Sequence, residues 1–239
     1  MSPRARAAPT ERTRAEWTRR VEAEYASAAI TQHLTLWLIQ IGCSPDLIRD
    51  GLAIVGDELA HAELAHAVVA ACPSPPGRPL TLARAGLGLA RTGDDALEDD
   101  VVRACVRVFC LGETVAVRLF RALRAGCTVP VARRALDRVL RDEVRHRDFG
   151  WALLGWLLDG DAADARRALV ERELPELFAG LRENYGASDA RACSPSERAW
   201  GLMPAIEYRD VLVATVERDF VPRFSRLGLD ARRAWQSRA

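Results

Sequence analysis

Helical periodicity runs through this chain almost from end to end, and strand signals are nearly absent. No Asn-Gly or Asp-Gly turn separates two strand-like alternating runs. A first long helix is expected over 11–41, ended by Gly42. Ser44-Pro45 then opens a second helix, with Ser as N-cap and Pro at the first helical position, running to about residue 71. The turn-rich CPSPPGRPL starts a connection over 72–95 that contains four prolines. A short helix is expected within it, at 82–90. A third long helix should cover 96–125 and a fourth 130–158, with Thr128 as its cap. Two more follow at 162–184 and 195–227, with Pro175 and Pro204 as places to bend.

Loop lengths carry the topology. Helices one and two are joined tightly, as are three and four, so each pair is antiparallel. The connection between the pairs is long enough to run the length of a bundle. The expected fold is therefore all-α: a four-helix bundle with one long crossover over residues 11–159. Residues 1–10 would be a mobile arm, and 160–239 would form C-terminal helices packed on the bundle.

Composition narrows the function classes. The chain has 239 residues, 49% of them hydrophobic, which excludes a disordered chain. A net charge of +1 argues against a strongly cationic nucleic-acid binder, although all 34 basic residues are arginine. The N-terminal stretch is charged and lacks the apolar core of a secretory signal. Apolar runs such as 151–158 are too short to span a bilayer. Six cysteines form no C-x-x-C pair, which suits reduced thiols and a cytoplasmic location.

Only four histidines occur, and two of them follow a Glu by three residues: Glu58-Leu-Ala-His61 and Glu143-Val-Arg-His146. On a helix, i and i+3 lie on one face a turn apart, so both side chains can grip one cation. Each motif is preceded by an Asp, Asp57 or Asp142, and each sits in the second helix of its pair. Each preceding helix offers a matching acid, Glu24 or Glu113. The separations are 34 residues from Glu24 to Glu58 and 30 from Glu113 to Glu143. At about 1.5 Å rise per residue, a helix, a turn and a return helix bring such positions to one level. Four carboxylates and two imidazoles would then converge, a mixture that suits a pair of iron or manganese ions.

Acids on helices usually lie on a solvated face, but here the apolar stripes argue otherwise. Glu24 shares a face with Trp17, Val21, Ala28 and Thr31, and Glu113 with Val106, Cys110, Val117 and Phe120. Glu143 and His146 share one with Leu136, Leu140, Gly150 and Leu157. Unpaired charges in such stripes are costly unless they bind metal. Glu22 competes with Glu24 but faces another way. His33 reads as a surface or packing residue, and His66 is rotated well away from His61.

With these motifs, EYASAAITQHL, DELAH, CLGETVA and DEVRHRDFGW, the sequence resembles the ferritin-like superfamily of di-iron carboxylate proteins over about 11–160. It looks most like bacterial ferritin-like domain proteins, with some resemblance in overall plan to aldehyde-deformylating oxygenases. The resemblance implies Glu24, Glu58, His61, Glu113, Glu143 and His146 as metal ligands, with Glu58 and Glu143 bridging. It implies two iron ions, or one manganese and one iron, with no catalytic residue beyond the metal centre. It also implies that Asp57 and Asp142 each reach across to the opposite motif's histidine, fixing its tautomer. Arg145 would pair with Asp57, while the equivalent place in the first motif is Ala60.

Residue size suggests where a substrate would enter. In crossover topology Ala28, Ile54, Cys110 and Gly150 lie toward one pole of the site, and the bulkier Trp17, Phe120 and Leu136 toward the other. The first pole is the expected pocket, with mostly apolar walls. The leading expectation is an O2-activating oxidase or oxygenase acting on a hydrophobic or small organic substrate. It would need a separate electron donor, because the chain carries no flavin or nicotinamide fingerprint. The alternative is a ferroxidase or iron-handling protein with no organic substrate.

Overall fold

The computed structural model describes residues 7–72, 82, 86–185 and 192–237. The described residues are helical, with no strand among them. None of their helices is long and apolar enough to cross a membrane.

Four long rods make the body of the molecule. The first two are α1 (Glu11–Gln40) and α2 (Pro45–Ala70). A third rod is continuous but composite: α3 (Leu97–Ala104), a π-helical segment π1 (Cys105–Glu113) and α4 (Thr114–Gly126). The fourth is α5 (Pro130–Leu157). Helix α1 packs most extensively on α2, while α5 packs on π1, α4 and α2.

Local chemistry sets the ends of the rods. The Thr10 hydroxyl caps α1 by accepting from the Thr13 N–H at 3.1 Å. At the other end Gly42 takes φ +68°, a left-handed value that favours glycine. The Gly42 and Cys43 N–H groups then reach back to the Ile39 and Leu38 carbonyls, at 3.1 and 2.9 Å. Ser44 occupies the N-cap of α2, with Pro45 following, but its hydroxyl makes no capping bond.

Several expectations are corrected. Thr128 does not cap α5; its N-cap is Val129, and the Thr128 and Val129 N–H groups instead donate to the Ala199 carbonyl. The third rod is not uniform α-helix, because the backbone widens to π geometry through Cys105–Glu113. Of the expected 82–90 helix, residue 86 has 3₁₀ geometry, 87–90 are not helical, and 83–85 lie outside the described residues. The expected helix over 195–227 is broken into α7 (Pro195–Ala199), α8 (Ala205–Thr215), π2 (Val216–Phe220) and α9 (Val221–Arg226). Gly201 at φ +82° turns the chain between α7 and α8, and Pro204 sits at the N-cap of α8.

Helix α6 (Ala163–Tyr185) stays one helix with Pro175 inside it. A short α10 (Ala231–Gln236), not foreseen, closes the chain. The later helices pack chiefly on the third rod and on one another. Of the expected N-terminal arm, residues 1–6 lie outside the described residues. Ala7 and Thr10 are tied down: the Trp200 indole donates to the Ala7 carbonyl at 2.8 Å, and the Thr10 hydroxyl to Glu197 at 3.1 Å.

Two apolar clusters result. The larger runs through α1, π1, α5 and the later helices, around Phe109, Phe149, Leu153, Phe178 and Phe220. The smaller gathers Trp17, Val21, Ala65, Leu136 and Met203. The titratable cluster described next lies on helix faces that feed both.

Candidate metal centre

Six ionisable side chains that the sequence places on four rods meet in one buried volume. Glu24 comes from α1, Glu58 and His61 from α2, Glu113 from the end of π1, and Glu143 and His146 from α5. Both histidines are fully buried, and the four acids are between 1% and 8% exposed. Glu58 is the shared member. It lies 3.5 Å from His61 and 3.3 Å from His146, both through Nδ1. Glu24 approaches the same His61 nitrogen at 3.6 Å, and Glu143 approaches His146 Nδ1 at 3.5 Å. The two imidazole centroids are 5.8 Å apart.

Two groups of potential metal ligands emerge, Glu24 with Glu58 and His61, and Glu58 with Glu113 and His146. Within each group the donor atoms lie within 4.8 Å of one another. Glu143 stands beside Glu113 and His146.

Each imidazole has an inner and an outer nitrogen, and the two are treated differently. The outer Nε2 of His61 faces Asp142 at 3.2 Å, and that of His146 faces Asp57 at 3.3 Å. This is a crossed pairing, each Asp serving the other motif's histidine. A carboxylate on Nε2 holds the proton there and turns the basic Nδ1 lone pair inward. The inner nitrogens make no hydrogen bond, and neither do Glu58 Oε2 and Glu143 Oε2. Four buried polar atoms left unpaired in one volume are expensive, since each forfeits its hydration. A bound cation removes that cost. The donor set of hard carboxylate oxygens and borderline imidazole nitrogens therefore fits divalent metal.

Burial and mutual contact set the charge states of the cluster. Burial raises Glu24 to about 7, against the pull of His61. Burial raises Glu143 to about 8, and it raises Glu113 too, with Glu143 alongside. Burial also works against Glu58, but the adjoining His146 and His61 carry it below the ordinary carboxylate value. Burial opposes protonation of His61, yet Glu24 and Glu58 lift it to about 11. Asp142 is held at about 2; burial opposes this, but Arg138, His61 and Arg141 outweigh it.

Arginines from α5 cover the two outer carboxylates. Arg145 Nη2 bonds Asp57 at 2.8 Å and Asp142 at 2.9 Å. Arg138 bonds Asp142 and reaches Asp57 at 3.0 Å. The sequence reading named Arg145 but missed Arg138, although its place four residues before Asp142 is a helical-pair signal. It also missed Ser27, whose hydroxyl donates to Glu58 Oε1 at 3.0 Å. Ser27 lies three residues after Glu24, the only hydroxyl in a run of alanines, which could have marked it. A third omission is Tyr185 at the end of α6, pushed to about 12 by burial and by the nearby charge of Glu113.

The residues set aside stay apart from the cluster. His33 accepts from the Leu89 N–H at 2.9 Å and packs edge-on to Trp37. His66 is exposed, and Glu22 is less buried than Glu24.

The small-residue pole is closely packed at Gly150. Ala28 and Cys110 are buried, and a Cβ on Gly150 would meet Phe109 Cβ at 2.4 Å. The absence of a side chain at Gly150 is thus used to bring α5 against π1, not to leave space. The Gly150 carbonyl accepts from both Cys105 and Cys110, at 3.3 and 3.4 Å. Of the four expected pocket residues, Ile54 alone lines a described cavity. That cavity is a groove of about 380 Å³ between α2 and α5, with Ala53, Phe149 and Ala152 beside Ile54 and with Asp50, Asp57, Asp148 and Arg145 also lining it.

No protein-family model matches the sequence, and no curated protein matches it either.

Proposed function

We propose that this chain is a ferritin-like, four-helix di-iron carboxylate protein that activates O2, acting as an oxidase or oxygenase on a hydrophobic or small organic substrate. The observation that carries this reading is the set of four buried atoms that make no hydrogen bond: Glu58 Oε2, His61 Nδ1, Glu143 Oε2 and His146 Nδ1. Crossed pairing of the outer imidazole nitrogens supports it, because it leaves both inner nitrogens free to bind. Glu24, Glu58 and His61 would hold one ion, and Glu113, Glu143 and His146 the other, with Glu58 between them. Bound iron, or manganese with iron, supplies the electron transfer to O2 that no side chain here can perform.

The chain's own residues supply the setting. Ser27 orients Glu58 from one side. Asp57 and Asp142 would fix the imidazole tautomers, and arginines of α5 form ion pairs with both aspartates. Phe109, Phe149 and Leu153 keep bulk water from the α5 side of the cluster. A small organic molecule would approach through the groove of Ile54, Ala53, Phe149 and Ala152, whose volume lies in the range of small-molecule sites.

The same groove favours a second reading. Asp50, Asp57 and Asp148 line it, as a path for Fe(II) would require, so a ferroxidase or iron-handling protein without an organic substrate is the alternative. Addition of Fe(II) to metal-free protein, with and without O2, tests both. Retention of about two irons per chain after oxidation is the expected result. Continued accumulation into a mineral favours iron handling, and no retained iron or manganese overturns both readings.

A further inference from the structure

The outer face of α5 carries four arginines in one stripe. Arg134, Arg138, Arg141 and Arg145 follow each other at spacings of four, three and four residues, which keeps them on one side of the helix. Arg141 and Arg145 expose more than half of their side chains, and Arg134 is exposed with no partner among the described residues. Among the described residues these arginines form ion pairs with two carboxylates, Asp57 and Asp142, so four positive charges answer two paired negative ones.

These two carboxylates are also the ones that touch the imidazoles. From Arg138 to Asp57 is 3.0 Å, and from Asp57 to His146 is 3.3 Å. From Arg145 to Asp142 is 2.9 Å, and from Asp142 to His61 is 3.2 Å. Both imidazoles therefore reach the same patch of surface through two polar contacts each. The stripe is short, about 16 Å at the helical rise per residue. It is flanked by Asp137 and Asp148, both exposed. A nucleic-acid backbone tracking along it would meet those acids, whereas a small acidic protein can cover the stripe alone.

We propose that this face of α5 is the docking surface for a small acidic one-electron carrier protein. The inference rests on the redox reading above. In each encounter the carrier loses one electron and the buried centre gains it. Two encounters supply a pair, and no atom or proton passes between the proteins in that step. Arg134 acts as a steering charge, while Arg138, Arg141 and Arg145 also contact the carboxylates that meet the imidazoles.

The test uses a plant-type [2Fe–2S] ferredoxin as the probe, against the full chain with and without iron. Binding is expected to both forms, weakening steeply as salt rises. The variant Arg134→Glu should bind several-fold more weakly, and Arg134→Gln should fall between it and the native chain. Arg209→Glu on α8 should bind as the native chain does. Reduction of the oxidised iron form by ferredoxin should slow in the same order, while reduction by a small viologen stays constant. Circular dichroism checks that each variant is folded. Salt-independent binding, undiminished binding by Arg134→Glu, or displacement of ferredoxin by a single-stranded oligonucleotide would overturn the proposal. Iron uptake together with any of those results leaves the metal reading standing, and failure to take up iron sinks that reading by itself.

Discussion

The two halves of the buried cluster look alike in sequence and differ in construction. The α1–α2 half carries Asp57, Glu58 and His61 on regular helix, opposite Glu24 on another regular helix. The other half carries Asp142, Glu143 and His146 on regular helix, but its fourth acid, Glu113, ends a π-helical segment. The first half has a hydroxyl, Ser27, on its central acid. In the second, two acids, Glu113 and Glu143, face each other, and burial raises both. One motif thus sits in two unequal surroundings, one with a hydroxyl on its central acid and one packed tightly against π1 at Gly150.

Glu58 should show the largest effect, because it belongs to both halves. Replacing it with Ala takes a carboxylate from beside His61 and His146 together. We expect Glu58→Ala to lose nearly all bound iron, while Glu24→Ala and Glu113→Ala each lose about one ion of the pair, measured as metal per chain after anaerobic loading. Equal losses in all three variants would break the assignment of Glu58 as the shared residue.

Packing separates the halves next. Each contains a glycine where two rods approach: Gly51 against Thr35, and Gly150 against Phe109. An added Cβ at Gly51 meets the Thr35 hydroxyl at 2.7 Å, a side-chain atom, and gains helix propensity of about 1 kcal/mol. At Gly150 it meets Phe109 Cβ at 2.4 Å and the Phe109 carbonyl carbon at 2.9 Å, so the backbone of π1 must move. Gly150→Ala should cost about 3 kcal/mol and Gly51→Ala less than about 1 kcal/mol, read from denaturant midpoints. A reversed order would show that the π1 half is the softer one.

Much of this was legible in the sequence, for identifiable reasons. Helix periodicity and the Gly42 and Pro45 signals place α1 and α2 closely, because capping is local chemistry. The crossed Asp–His contacts were expected from resemblance alone; no spacing rule shows which Asp meets which ring. Two features escaped. The π geometry of Cys105–Glu113 has no composition signal, and neither has the close packing of that segment against α5 at Gly150. The close approach at Gly150 escaped because small residues read equally as space or as close approach, and only the partner helix decides. Trp200–Pro204 broke an expected helix because Gly201 at positive φ turns the chain there.

The outer aspartates should differ by a smaller margin. Asp142 is fully buried and answers to three arginines and His61, whereas Asp57 is partly exposed, so water can substitute for some of its contacts. Asp142→Asn should weaken metal binding by about 10- to 100-fold, and Asp57→Asn by less. Competition with a chromophoric chelator reads both. Equal effects would mean that exposure does not set how firmly each imidazole is held.

Ser27→Ala is the smallest change and the most direct probe of the first half alone. It removes one hydrogen bond of 3.0 Å to Glu58 Oε1 and leaves the carboxylate in place. A hydrogen bond to a charged group contributes about 1.5–3 kcal/mol, but Ser27 is only partly buried and water can replace it, so about 1 kcal/mol is expected. That corresponds to a loss of about fivefold in metal affinity. If Ser27 orients Glu58 for both ions, the loss should be shared between the two binding steps. If it acts on the α1–α2 half only, the step assigned to Glu24 and His61 should weaken while the other stays constant. Stepwise titration of Glu24→Ala and Glu113→Ala backgrounds with and without the Ser27 substitution separates these outcomes, because each background leaves one half of the cluster to be read by itself.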